Sequence, residues 1–180
     1  MVSAATPYRN YHSSANTRDT VQYQFTYLSD QVRTTSAWAD FDTLLHEYAE
    51  QDLAQPRLST IWKDLHDLPA RYGSPVGGVV LLHQDHILVG CMAFTANKFD
   101  GTCELKRLFV RKSFRGKGYA RILLTETMRM AKQAGYLRGV LSTWPDNPKA
   151  LELYSSLGFM PTESFKEDRR QNLVFLERAL

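Results

Sequence analysis

Six lysines and arginines fall between Lys106 and Lys117 with no acid among them, and the run closes on two glycines, Gly116 and Gly118. An apolar stretch with helical spacing begins directly behind them. A helix start leaves its first N–H groups unpaired and carries the positive end of the helix dipole, so such a junction attracts anions. Glycine has no Cβ, which lets backbone N–H groups lie against phosphate oxygens and lets the chain take φ > 0 where a nest of donors needs it. Arg115 and Lys117 add charge, and phosphate is the guest that suits the set. The bland alternative is an ordinary tight turn, which two glycines at this spacing also make. Neither common nucleotide loop is present: GxxxxGK[ST] is absent, and GxGxxG would require glycine or alanine at position 121, where Arg121 stands.

The charge is local. Over 180 residues, 22 Lys and Arg face 19 Asp and Glu, a formal +3; without those six bases, 16 face 19, a net −3. That balance argues for one small anionic ligand over a long polyanion. At 43% hydrophobic the chain can bury one core and make one domain. Its two cysteines, Cys91 and Cys103, have no metal spacing; they are expected on two strands of one hairpin, roughly opposite, as reduced core thiols, a placement that would also permit a bridge. No segment approaches the ~18 apolar residues of a membrane span, and the first 20 residues lack a signal peptide's apolar core. The expectation is a soluble cytoplasmic protein without membrane partners. Met1 to Arg18 holds Arg and Ser and no acid, which suits a disordered polar arm over residues 1–20 or a transit-like segment.

The elements that must position the loop can be read from periodicity. "VQYQFTYL", residues 21–28, alternates as a half-buried strand. Trp38, Phe41, Leu45 and Tyr48 recur at helical spacing from an N-cap at Ser36, and Ile61, Trp62, Leu65 and Leu68 repeat the pattern after Pro56, ending before Pro69. "LPARYGSPVGG" is then a loop, and "GVVLLHQDHILVGCMAFTA" a hairpin turning at Gln84 and Asp85. "CELKRLFV" is a further strand, followed by a helix from Tyr119 to Ala134 stopped by Gly135. "RGVLST" is a strand, Asn147 and Pro148 open a helix that Gly158 ends, and "NLVFLERAL" supplies a last strand. The order β, α, α, β, β, β, α, β, α, β describes one α+β, or mixed α/β, domain over residues 21–180.

At this point the residues resemble a known family. "RGKGYA", Arg115 to Ala120, is similar to the [Q/R]xxGx[G/A] pyrophosphate loop of the GNAT superfamily of N-acetyltransferases, and "NPKALELYSSLGF" resembles that family's later helix, which opens on Asn, carries a Tyr and closes on Gly-Phe. The likeness runs from about Gly78 to Phe159. It implies a mostly antiparallel sheet of about six to seven strands flanked by about four helices, with acetyl-CoA or another acyl-CoA as donor. It assigns the pyrophosphate to Arg115, Gly116, Lys117, Gly118, Tyr119 and Ala120, the pantetheine to the strand end at Leu108, Phe109 and Val110, and the region of the sulfur to Asn147 and Tyr154. An alkylamine with a pKa near ~10 must lose a proton before attack. The family's strand-four acid falls on Glu104, which by strand alternation shares a face with Lys106, Leu108 and Val110; an ion pair there would instead lower its pKa and make it a poorer base. Tyr154 matches the general acid for the leaving thiolate, or else a core residue in the stripe of Ala150, Leu151 and Leu157.

The acceptor pocket implied by the resemblance takes Tyr27, Trp38, Trp62, Arg71, Tyr72 and Trp144 as candidates, with core packing as the competing role for each. They suit a small amine or an amino-acid-like molecule, Arg71 reaching a carboxylate; a protein N-terminus or lysine is the other acceptor class. Histidines 12, 46, 66, 83 and 86 are read as surface residues or arm, and no metal is expected. An RNA module built on Phe109, Phe114 and Tyr119 is disfavoured because the glycine loop feeds a helix, so nucleic acid is not an expected partner. A silent CoA-binding domain stands below the enzyme, and a monomer or homodimer is expected.

Overall fold

The structure is a computed structural model and describes residues 8–12, 22–28, 36–52, 59–166 and 172–180. At its centre lies a hairpin of β3, Gly77–Gln84, and β4, Ile87–Ala96. Asp85 and His86 turn it with φ of 49° and 66°, the two left-handed residues that a type I′ connection requires. The strand β5, Thr102–Val110, pairs antiparallel with β4, and β2, Gln22–Leu28, pairs with β3 on the other side. With β1, Tyr8–His12, β6, Arg138–Thr143, β7, Met160–Pro161, and β8, Val174–Ala179, these form one eight-stranded sheet in the order β1-β2-β3-β4-β5-β6-β8-β7. Among the described strands only β5 and β6 are parallel.

Helices cover both faces, which is why the central strands read as continuous apolar runs. In β3, Val79 and Leu81 face α1, Ser36–Gln51, while Val80 and Leu82 face α4, Tyr119–Gln133; all four are fully buried. The helix α1 contributes Trp38, Phe41, Leu44 and Leu45 to the first core, and α4 contributes Leu123, Leu124, Met128 and Ala131 to the second. This is the α+β architecture expected, with the predicted α4 face reproduced except that Ala120 is only half-buried.

Three expectations change. Tyr8–His12, assigned to a disordered arm, form a strand on β2; edge strands join through backbone bonds, which a polar sequence does not announce. The single helix ending before Pro69 is two short ones, α2, Ile61–Asp64, and α3, Leu68–Tyr72, because Pro69 fits the first turn of a helix and Asp67 Oδ1 caps it from Ala70 N at 3.0 Å. Pro56, taken as the start signal of that helix, lies outside the described residues. The cysteines are not opposite: Cys91 pairs with Phe109 and Cys103 with Ala96, and both thiols are free and buried.

Two irregularities shape the strand that leads to the glycine loop. Between Cys91 and Ala93 of β4, β5 carries one residue too many, a bulge at which Arg107 takes φ 62°. Pairing with β6 covers only Thr102 to Glu104, so Leu105 to Val110 have no strand on that side. Opposite this gap stands α5, Pro148–Ser156, closed by a double turn in which Phe159 N donates to Tyr154 O (3.1 Å) and Gly158 N to Ser155 O (2.9 Å). The Tyr154 and Phe159 rings meet edge to face at 5.8 Å, so the terminator also fixes Tyr154. Gly158 has φ 77°, and Gly158→Ala should cost about 1 kcal/mol and lower the calorimetric Tm by a few degrees, whereas an unchanged Tm would contradict this account of the helix end.

Candidate functional site

Gly116 and Gly118 both take left-handed φ, 78° and 83°, and a Cβ built on either would meet nothing within 4 Å. Their backbone therefore faces open space. Gly118 is the N-cap of α4 and offers no side chain to cap it, and among the described residues the N–H groups of Gly116 to Arg121 have no backbone acceptor. Six donors thus lie at the positive end of a 15-residue helix, where a phosphate finds partners. Of the loop's side chains, Lys117 lies over Phe114, and Tyr119 points away, its hydroxyl bonded to Gln84 in the core. Tyr119 and Ala120 can contribute only backbone.

Next to the loop is the unpaired edge of β5. The bulge at Arg107 inverts the alternation expected: Glu104 and Lys106 share a face, but beyond the bulge Phe109 takes that face and Leu108 and Val110 turn to the α4 side. Phe109 packs on Tyr48 of α1 at 5.8 Å. The Val110 carbonyl accepts from Arg115 Nε at 2.8 Å, which leaves Leu108 and Phe109 as the freer backbone of the strand end. Tyr154 is buried, and burial first, then the neighbouring Tyr48 hydroxyl, pushes its phenol well above the ordinary range. Asn147 Oδ1 caps α5 from Ala150 N at 3.2 Å.

Below the gap lies a network of charges that the sequence did not suggest. Asp64, 3% exposed, accepts from Arg107 Nη2 at 2.5 Å and Nε at 3.1 Å and from the Tyr72 hydroxyl. Arg71 Nε reaches its other oxygen at 3.2 Å, and Lys106 Nζ stands 3.9 Å away. Lys106 also lies 3.6 Å from Glu104, whose second oxygen is 3.3 Å from Lys166 Nζ; Lys166 in turn donates to Ser142 Oγ at 2.7 Å. Burial alone would raise both carboxyls, but Lys106 and Lys166 hold Glu104 below its usual range, and Arg107 and Lys106 do the same to Asp64. Burial draws Lys106 down to about 8, against the pull of Glu104.

The six bases of the opening run are therefore divided. Lys106 and Arg107 serve this network, and Arg111 is tied to Glu47 at 2.6 Å. Arg115 pairs with Asp52 at 2.5 Å and lies over Phe109. Among the acceptor candidates, Arg71 is beside the network, Trp62 lies exposed on α2, and Trp144 is half-buried in the loop after β6. Tyr72 is inside the network itself, and the two others are elsewhere. Tyr72 is fully buried with its hydroxyl on Asp64, Trp38 is core, and Tyr27 bonds Glu126 of α4 at 2.5 Å on the far face. His46, His66 and His86 are exposed as expected, while His83 is half-buried. Asp64, Tyr48 and Lys166 were missed; the only signal was an acid on the apolar side of "IWKDL".

Asp64→Asn leaves Arg107 and Lys106 short of a counter-charge, and should cost about 3–5 kcal/mol by urea unfolding at pH 7. Both network carboxyls titrate lower folded than their ordinary 3.8 and 4.5, so the stability they supply is present above those values and is lost as pH falls through the folded ones. The deficit of Asp64→Asn should accordingly shrink below about pH 4; a deficit independent of pH would refute the assignment.

Residues 35–159 match the model of the acetyltransferase (GNAT) family. An uncharacterized N-acetyltransferase of Schizosaccharomyces pombe is 30% identical over 138 residues, covering 76% of this chain and 85% of the relative. An N-acetylaspartate synthetase of Danio rerio is 37% identical over 98 residues, 53% of this chain but only 34% of the relative. The fold matches that of a PaiA N-acetyltransferase of Thermoplasma acidophilum, solved in complex with coenzyme A, with a TM-score of 0.61 over 87% of this chain and 99% of that one at 15% identity. The glycine nest before α4, the parted strands β5 and β6 and these likenesses agree, and the chain belongs to the GNAT family of acetyltransferases.

Proposed function

We propose that this acetyltransferase moves the acetyl group of acetyl-CoA to the primary amine of a small, amino-acid-like acceptor, by direct attack while both are bound. The observation that carries the donor half is the open nest of N–H groups from Gly116 to Arg121 beside the unpaired edge of β5. The nest takes the pyrophosphate, and the backbone of Leu108 and Phe109 takes the pantetheine amides, which compete poorly with water unless a strand edge is already extended. The coenzyme A complex of the Thermoplasma neighbour supports this reading.

At the thioester, a β5 N–H faces the carbonyl oxygen as charge develops on it. Tyr154 faces the sulfur. Its raised pKa makes full proton transfer to a thiolate uphill, so its part is to donate a hydrogen bond to the departing sulfur. Glu104 cannot hold a proton well between two ammonium groups; it accepts a hydrogen bond from the acceptor amine and passes the proton on to water. For the acceptor, the N-acetylaspartate synthetases among the relatives support an amino acid over a protein.

Acetyl-CoA at a hundred times its Kd should add about 2.7 kcal/mol and raise Tm by several degrees. Gly118→Ala should fold but lose most of that shift, since its Cβ enters the nest. With a panel of amines, amino acids and peptides, release of free CoA thiol should depend on acceptor. Tyr154→Phe should lower kcat about 10- to 100-fold, and Glu104→Gln should be slow at pH 7 and recover as the amine deprotonates at higher pH. Full activity of Glu104→Gln at pH 7 would remove it from the mechanism, and no thiol release with any acceptor would overturn the transferase reading.

A further inference from the structure

The charges beside the gap run in an order: Arg71, Asp64, Lys106, Glu104, Lys166, each within 3.9 Å of the next, with Arg107 beneath Asp64. Among the described residues two acids meet four bases; the buried members, Asp64, Lys106, Glu104 and Arg107, all at most 14% exposed at the side chain, balance two against two. The buried members compensate one another, so the two positive charges in excess are those of the ends of the row. The members that reach solvent are the end ones, Arg71 at 46% and Lys166 at 36%, and both are cations. Arg71 meets Asp64 through Nε, which leaves its terminal nitrogens for a planar, two-point partner. Lys166 is a point charge held toward Glu104 and Ser142.

A molecule complementary to this row carries a negative group at each end and a nitrogen between them. Resting on the transferase reading above, we infer that the acceptor is an amino acid with a second carboxylate, its amine against Glu104 and its two carboxylates on Arg71 and Lys166. The two added negative charges bring the row to neutrality. The bond chemistry is that of the proposed transfer: the amine nitrogen forms an amide with the acetyl carbon, the thioester C–S bond breaks, CoA leaves as its thiol and one amine proton goes to solvent.

The test is steady-state kinetics with matched acceptors: L-aspartate against L-asparagine, L-glutamate against L-glutamine, a neutral alkylamine and a short neutral peptide. An acid should exceed its amide by about 100-fold or more in kcat/KM, because the amide leaves a cation unpaired. Arg71→Gln and Lys166→Gln should each raise KM for the acid about 10- to 100-fold with the Kd for CoA unchanged, and Arg71→Lys should recover part of the loss. Both side chains are well exposed, and the CoA titration confirms that each variant is folded. Amides or neutral amines used as well as acids, or unaltered KM in both variants, would overturn the inference while leaving the transferase reading intact. No turnover with any acceptor would overturn both.

Discussion

Asp64 and Arg107 hold each other in an arrangement that neither would adopt alone. A left-handed backbone at a non-glycine residue costs about 1–2 kcal/mol, and Arg107 takes it in the middle of a strand. Its guanidinium is repaid, in that position, by two hydrogen bonds to Asp64, one to Thr60 and one to the Tyr72 hydroxyl. Asp64 reaches that point because α2 ends there and α3 begins after a short turn, so the break between the two helices is what delivers the carboxylate. Without the bulge, Phe109 would exchange faces with Leu108, and the contact with Tyr48 on α1 would be lost.

The same distortion opens the sheet. β6 continues to Thr143 on β8, while β5 leaves it after Glu104, so the strands part toward the glycine loop. An α/β sheet usually keeps its strands together to satisfy buried backbone groups, and a gap of this kind leaves an edge that needs a partner. Here the edge faces Tyr154 on one side and leads to the bare N–H groups of the loop on the other. Extended backbone followed by an anion nest is a template for a ligand with amides at one end and phosphate at the other.

Much of this was legible in the sequence, and the reasons differ by element. Elements set by local rules came through: the α4 helix, the Asn147-Pro148 start and Gly158 stop of α5, and the central hairpin, whose turn falls on Asp85 and His86, one residue later than Gln84 and Asp85. So did the loop, because bare backbone at a helix mouth is written as glycine. Glu104 was placed on the correct strand and beside Lys106, yet its neighbours beyond that were wrong, since a bulge breaks the period of two without any residue that marks it. Asp64 meets Lys106, and Lys166 meets Glu104, through pairings 42 and 62 positions apart along the chain, and a pattern read over a dozen residues does not contain them. Tyr27 and Tyr72 pack on or in the cores for a simpler reason: an aromatic ring fills a core as readily as a pocket.

The basic run had been read as charge for a phosphate, and its division alters how the donor must be held. Lys106 and Arg107 face Glu104 and Asp64, Arg111 is bound to Glu47, and Arg115 is held by Asp52 and the Val110 carbonyl. Little of the formal charge remains for the loop. Dipoles fixed in the backbone act at contact distance and are screened far less by salt than free lysines would be. A phosphate on this nest is thus positioned by geometry more than drawn by charge. On the reading proposed above, the cations not used there serve the acceptor instead, through the network of Asp64 and Glu104 beside the gap.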